Sequence, residues 1–376
     1  MQTPNEWNDK RREDMEYTHG GDIYRNRVKW DFSANIGPFG MPPSVREAAV
    51  RGVEDSQAYP DSQAEKLRKE IAQAEGADPE QIVCGNGAAE VIFHLAAAVR
   101  PRQALLLAPT FSEYERALTA VGCACHFYEL KEENGFQVGE DFPAAITAST
   151  DMAVICNPNN PTGVLFPQKL YREVIKRCAR TGCLLAVDEC FQDFLEDQDR
   201  LSFRTVWEKE TEKCNLFIFK AFTKMYGMPG LRLGYGIAHH PDLAKQVRRA
   251  SQSWNVSTPA QYAGLAALRE TEFAENTRRY VAGERRRMRR AMEEMGFFVY
   301  DSRANYLFFR TPSKRDLYQF CLERGLLIRK CSNFRGLTAA HFRAAVKSRE
   351  ENDVLLDILR QSLDWDGKGN IWQRQS

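Results

Sequence analysis

The 376-residue sequence carries almost no net charge, with 52 Lys and Arg facing 51 Asp and Glu. That removes the field a nucleic-acid-binding or membrane-surface protein uses to attract its partner. No apolar run approaches the roughly 20 residues a membrane-spanning helix needs. The polar stretch Met1–Arg12 holds no apolar segment of signal-peptide length. The ten cysteines have no repeating pair spacing, so they read as small core residues in a reducing compartment, not as a disulfide framework. Cys123, Cys125 and His126 stand close together, but their alternation suits a strand, and no metal site is expected. Internal repeats and low-complexity segments are missing as well. The expectation is a soluble cytoplasmic protein without nucleic-acid or membrane partners, long enough for one large core and a smaller second one.

What is present is alternation. Short apolar segments at 82–84, 104–107, 125–130, 152–156, 184–187, 216–219 and 233–238 read as strands, with helical patterns between many of them. Continuously apolar strands predict an α/β fold, a large domain whose mainly parallel sheet is covered by helices on both faces. Ser44 with Glu47 suggests a capping box for a helix to about Asp55, and a second helix is expected over 64–75. Residues 260–295 read as long helix, whose basic run Arg285–Arg290 suits a solvated face. Strands at 297–300, 305–309, 326–329 and 341–346 then predict a smaller α+β domain, followed by a polar tail at 365–376. The division expected is an N-terminal arm over 1–44 that partly joins the small domain, a large domain over 45–255, and a linking helix with the small domain over 256–376.

In parallel α/β sheets, ligands sit at the carboxyl ends of the strands, and the informative residues fall there. Lys224 follows the 216–219 strand among aromatic, small and Gly/Pro neighbours, a setting for a nucleophilic amine. Arg232, between Gly230 and Gly234, can take a phosphate bidentately. Gly87-Ala88-Ala89 opens a helix and offers its N–H groups to an anion. Phe111 suits stacking on a flat ring or core packing equally. Asn160 lies in the turn Asn157-Pro158-Asn159-Asn160-Pro161-Thr162-Gly163, and Asp188 ends the buried run Leu-Leu-Ala-Val-Asp. Buried carboxylates are rare unless paired, so a cation is expected beside Asp188.

A lysine amine, an acid for a ring nitrogen, an amide and a phosphate arginine are what pyridoxal 5′-phosphate (PLP) requires. With Asn160-Pro161-Thr162-Gly163, Asp188, Lys224 and Arg232 in this order, the chain resembles the fold type I, class I/II aminotransferase family over nearly its whole length. The resemblance implies that Lys224 forms the Schiff base and that Asp188 pairs with the ring nitrogen. Asn160 would bond the ring hydroxyl and Phe111 would stack on the ring. Gly87, Ala88, Ala89, Thr223 and Arg232 would hold the phosphate, Tyr59 would reach it across a homodimer interface, and Arg343 would clamp the substrate carboxylate. One departure is Phe191, where aminotransferases often carry a tyrosine whose hydroxyl contacts the ring.

Several stretches resemble the threonine-phosphate decarboxylase branch, a near relative of histidinol-phosphate aminotransferase. These include His19-Gly20-Gly21-Asp22, Phe32-Ser33-Ala34-Asn35-Ile36 and Cys331-Ser332-Asn333-Phe334-Arg335-Gly336-Leu337. Asp22 and Gly37 depart from the Asn more usual there, and Phe39 from Leu. The implied substrate is a small phosphorylated amino acid held by His19, Gly20, Asn35, Arg329 and Arg343, and the implied reaction is decarboxylation, with transamination as the alternative. The lesser alternative for Arg329 is one half of a surface salt bridge.

Overall fold

Strands form where the sequence runs apolar without alternation. The computed structural model describes residues 19–196, 201–313 and 315–363; the charged segment 1–18 and the tail expected at 365–376 lie outside them. After a short β1 (Trp30–Asp31) come β2 (Ile82–Gly85), β3 (Gln103–Ala108), β4 (Ala124–Glu129), β5 (Met152–Cys156), β6 (Leu184–Asp188), β7 (Leu216–Ala221) and β8 (Gly234–Ala238). The last seven form one sheet in the order β2-β8-β7-β6-β5-β3-β4. It is parallel except for β8, which runs antiparallel to both neighbours.

Successive side chains of a strand point to opposite faces, and in β2, β3, β5, β6, β7 and β8 both faces are buried, while the edge strand β4 stays partly exposed. On β5, Ala153 and Ile155 enter one core while Met152, Val154 and Cys156 enter another; on β6, Leu185 and Val187 oppose Leu184 and Ala186. Helices Glu65–Glu75 and Tyr171–Thr181 cover the first face, and Ala88–Val99, Glu113–Ala120 and Pro241–Ala250 the second. That double cover explains the missing polar alternation.

The smaller sheet is antiparallel, in the order β12 (Arg329–Lys330), β13 (His341–Ala345), β10 (Tyr306–Arg310), β9 (Phe298–Val299). β11 (Leu326–Leu327) instead pairs in parallel with β1, so the arm is stitched onto this domain. A third core, including Phe32, Met288, Met292, Phe309 and Leu355, joins the arm, the long helix and the smaller sheet. No helix among the described residues is long and apolar enough to cross a membrane.

Tertiary contacts overturn some local expectations. The expected single strand over 326–329 is two, because β11 pairs with β1 and β12 with β13. The long helix over 260–295 is Thr258–Ala267 and Thr271–Glu294, separated at 268–270. Ser44 caps nothing: the helix is Pro43–Glu54, starting after Pro42 without a side-chain cap, and the Ser44 hydroxyl bonds Glu270. In the basic run, Arg286, Arg287, Arg289 and Arg290 are neutralised by acidic neighbours. Arg285, expected on the solvated face, is buried and donates to the Arg303 and Ala304 carbonyls.

Helix Pro43–Glu54 lies against Thr258–Ala267 through Gly52, where an added Cβ would meet Pro259 Cα at 2.6 Å. Gly52→Ala gains about 1 kcal/mol of helix propensity, but overpacking against a backbone atom costs about 1–3 kcal/mol. A net loss, read as a lower urea midpoint, is expected.

Candidate active site

The carboxyl ends of β5, β6 and β7 lie side by side. β6 ends on Asp188, which is 5% exposed. Its Oδ2 accepts from the Tyr114 hydroxyl at 2.6 Å and its Oδ1 from the Cys190 amide at 2.9 Å. Burial, and then the Asp188 charge, push the Tyr114 pKa well up, so this hydroxyl stays a donor. The cation expected beside Asp188 is not among these partners. Both are neutral, and a protonated ring nitrogen has the chemistry to complete the set.

β7 leads into Thr223 and Lys224. The half-buried Lys224 donates from Nζ to Thr223 Oγ1 at 3.4 Å and lies 5.2 Å from the Phe191 ring centroid. Phe191 meets Tyr306 edge-on, with centroids 5.2 Å apart. The arm reaches this loop too, since Gly37 N donates to the Lys224 carbonyl at 2.8 Å.

Gly87 precedes helix Ala88–Val99 with φ +81°, a backbone conformation that favours glycine. A Cβ there would stand 2.2 Å from Arg232 Nη2, and one on Gly234 would stand 2.2 Å from Ala88 N. Glycine thus lets the Arg232 guanidinium lie against the backbone at Gly87, beside the first-turn N–H groups of Ala88 and Ala89, which have no partner within the helix. Such donors suit a phosphate. Arg232 itself donates to the Pro229 carbonyl at 3.0 Å.

On the smaller sheet, Arg329 and Arg343 are register partners across β12 and β13, and both are buried. Arg343 donates from Nη1 to Asn160 Oδ1 and from Nη2 to the Ser33 carbonyl at 2.9 Å, while its Nε has no partner. Arg329 donates to the Lys330 carbonyl at 2.7 Å and to Asn333 Oδ1 at 2.9 Å. Burial first, and repulsion from Arg343 as well, lower the Arg329 pKa to about 10. An anion between the two would offset both effects. Asn35 is buried with Oδ1 unpartnered, and its carbonyl accepts from Asn305 Nδ2 at 3.0 Å.

A cleft of about 1400 Å³ takes in His19, Gly20, Phe111 and Arg329, but not Lys224, Asp188 or Asn160. Tyr59 stands apart from the group: it is 82% exposed and stacked on Trp254, centroids 4.8 Å apart.

Sequence reasoning gave no role to Tyr114, Ser33, Glu113 and Glu189, although Ser33 lies in a stretch that carries the resemblance; their contacts cross the fold. Glu189 follows Asp188 and is buried; burial raises its pKa to about 7, against the lowering effects of Lys220, the Phe203 amide and Ser202. The folded state therefore holds this proton more tightly than the unfolded chain, whose glutamates titrate near 4.5. Its contribution to stability is full below about pH 4.5 and is lost as pH rises through about 7. Glu189→Gln is expected to flatten the fall of the urea midpoint across that window relative to wild type.

Residues 27–359 match aminotransferase class I and II. The threonine-phosphate decarboxylase of Salmonella typhimurium is 34% identical over 335 residues, covering 89% of this chain and 91% of that protein. A histidinol-phosphate aminotransferase of Oleidesulfovibrio alaskensis is 32% identical over 340 residues, covering 88% and 86%. The solved structure of the histidinol-phosphate aminotransferase from Clostridium acetobutylicum has a TM-score of 0.81 at 28% identity, covering 88% of this chain and 98% of that one. Matched along nearly its whole length and sharing the fold, the chain belongs to the aminotransferase class I and II family, a family of PLP-dependent enzymes.

Proposed function

We propose that this enzyme decarboxylates L-threonine O-3-phosphate to aminopropanol O-phosphate, with PLP carried on Lys224. The observation that carries the reading is the buried pair Arg329 and Arg343 on adjacent strands, two guanidiniums for a substrate with two anionic groups. The 34% identity to a threonine-phosphate decarboxylase supports it.

The cofactor residues follow from the chemistry available. Arg232, Thr223 and the N–H groups of Gly87, Ala88 and Ala89 would hold the phosphate. Asp188 would pair with the ring nitrogen, and Phe111 would lie against the ring. Asn160 Oδ1 is taken by Arg343, which leaves Nδ2 to donate to the ring hydroxyl oxygen. Bound PLP supplies an electron-accepting ring to the carbon from which CO₂ leaves. The residues that fix the substrate's torsion against that ring would choose which bond at the carbon breaks. Arg343, braced by Asn160 and Ser33, would hold the carboxylate, while Arg329, His19, Gly20 and Asn35 would hold the phosphate end. Lys224 Nζ would return a proton to the carbon once CO₂ has gone. A homodimer is part of the proposal: exposed Tyr59 and Trp254, with Val50 and Val53 exposed on the preceding helix, suit a second copy, whose Tyr59 would complete the phosphate site.

Transamination is the second reading, favoured by the relatives that carry histidinol-phosphate aminotransferase activity in their names. An amino donor with two carboxylates would use the same arginines. The two are separated by supplying PLP-loaded enzyme with carboxyl-labelled L-threonine O-3-phosphate, or with histidinol phosphate and 2-oxoglutarate. Labelled CO₂ from the first and no glutamate from the second is the expected outcome; the reverse moves the enzyme to transamination.

A further inference from the structure

We propose that Glu113 is a positioning residue for the phosphorylated end of the substrate, acting through His19, an inference that rests on the reading above. Glu113 opens helix Glu113–Ala120, and its side chain is 8% exposed. Oε1 lies 3.0 Å from His19 Nε2, while Arg116 Nη1 donates to the two oxygens at 3.0 and 3.1 Å. Burial works against a charge at this carboxylate, but hydrogen bonds and charge from His19 and Arg116 more than offset it and hold the pKa below the ordinary value. The residue is thus a buried anion aimed at the arm, and neither the PLP contacts nor the arginine clamp uses it.

The arm has a second anchor. A Cβ on Gly20 would stand 2.1 Å from the Ser33 carbonyl oxygen, and Gly21 N donates to Ser33 Oγ at 2.7 Å. The same Ser33 carbonyl accepts from Arg343. The arm therefore runs from Glu113, on a helix of the large sheet, to Ser33 beside the clamp on the small sheet. Between these points His19 lines the cleft with Arg329 and lies 5.9 Å from the Phe111 ring. With Nε2 committed to Glu113, Nδ1 is the nitrogen left for a ligand, and its direction is set by the carboxylate.

The test is a double-mutant cycle on binding to the PLP-loaded protein. Wild type, Glu113→Gln, His19→Ala and the double variant are mixed rapidly with L-threonine O-3-phosphate, histidinol phosphate and unphosphorylated L-threonine, and affinities are read from the absorbance change that precedes turnover. Glu113→Gln is expected to weaken the phosphorylated ligands about tenfold, the scale of one charge-assisted hydrogen bond. It should leave L-threonine binding and cofactor absorbance unchanged, and the double variant should bind no more weakly than His19→Ala alone. Additive losses overturn the proposal, because Glu113 would then act without His19. An equal loss for L-threonine overturns it too, because a general structural role would do the same. If Glu113→Gln does not fold, Glu113→Asp should show the same selective loss at smaller size. Binding of histidinol phosphate but not L-threonine O-3-phosphate, with a non-additive cycle, would sink the decarboxylase reading and keep the role of Glu113. If wild type binds neither, both fall.

Discussion

Lys224→Ala is expected to lower kcat by a factor on the order of 10⁴, the scale of losing a group with the two proposed roles of carrying the cofactor and moving a proton. The fold should survive: the hydrogen bond of the Lys224 side chain runs to the adjacent Thr223, at the long distance of 3.4 Å. Lys224→Arg should not restore turnover, since a guanidinium stays protonated and is no nucleophile. Borohydride reduction followed by peptide mapping checks the assignment independently of rate. Cofactor mass should appear on the wild-type peptide containing Lys224 and on no peptide of the variant. Retention of more than about a tenth of wild-type turnover by Lys224→Ala would remove the residue from the role.

Arg343→Ala should produce the second largest loss. Its guanidinium is buried and donates to two buried acceptors, Asn160 Oδ1 and the Ser33 carbonyl. Removing one partner of a buried charged hydrogen bond costs about 2–5 kcal/mol, so kcat/KM should fall by about 30-fold to 5000-fold. A lysine replacement should recover little, because one ammonium does not reproduce the planar fork that spans both acceptors. The loss should also change the chemistry: with the carboxylate free to rotate, the ratio of CO₂ released to cofactor converted to its pyridoxamine form should drop. Product ratios measured alongside kcat/KM separate this from simple weakening. A loss in kcat/KM at constant product ratio would leave Arg343 as a binding residue without control of the torsion.

The strands carrying these residues were legible because both sheet faces are buried, which leaves an unbroken apolar run that needs no long-range information. The 152–156 strand is found as β5 without adjustment, and Asp188 and Lys224 stand at or just past the strand ends where they were expected. What failed was decided at a distance. Ser44 has the spacing of a cap, yet its hydroxyl goes to Glu270, 226 residues away. The 326–329 segment reads as one strand, yet its halves serve different partners. In the site, Arg329 and Arg343 could be named from sequence, but not their pairing across β12 and β13. Tyr114 and Glu113 carried no signal, since a tyrosine under Asp188 or a glutamate under His19 looks like any residue of an amphipathic helix. Tyr59 was named for a site that one chain alone does not bring it to.

The most direct test is a single turnover of the PLP-loaded enzyme with L-threonine O-3-phosphate and no keto acid, with CO₂, aminopropanol phosphate and cofactor form counted together. Stoichiometric CO₂ and aminopropanol phosphate, with the cofactor returned unchanged, is the result the proposed decarboxylation predicts. Accumulation of the pyridoxamine form without CO₂ would contradict it and make the enzyme an aminotransferase.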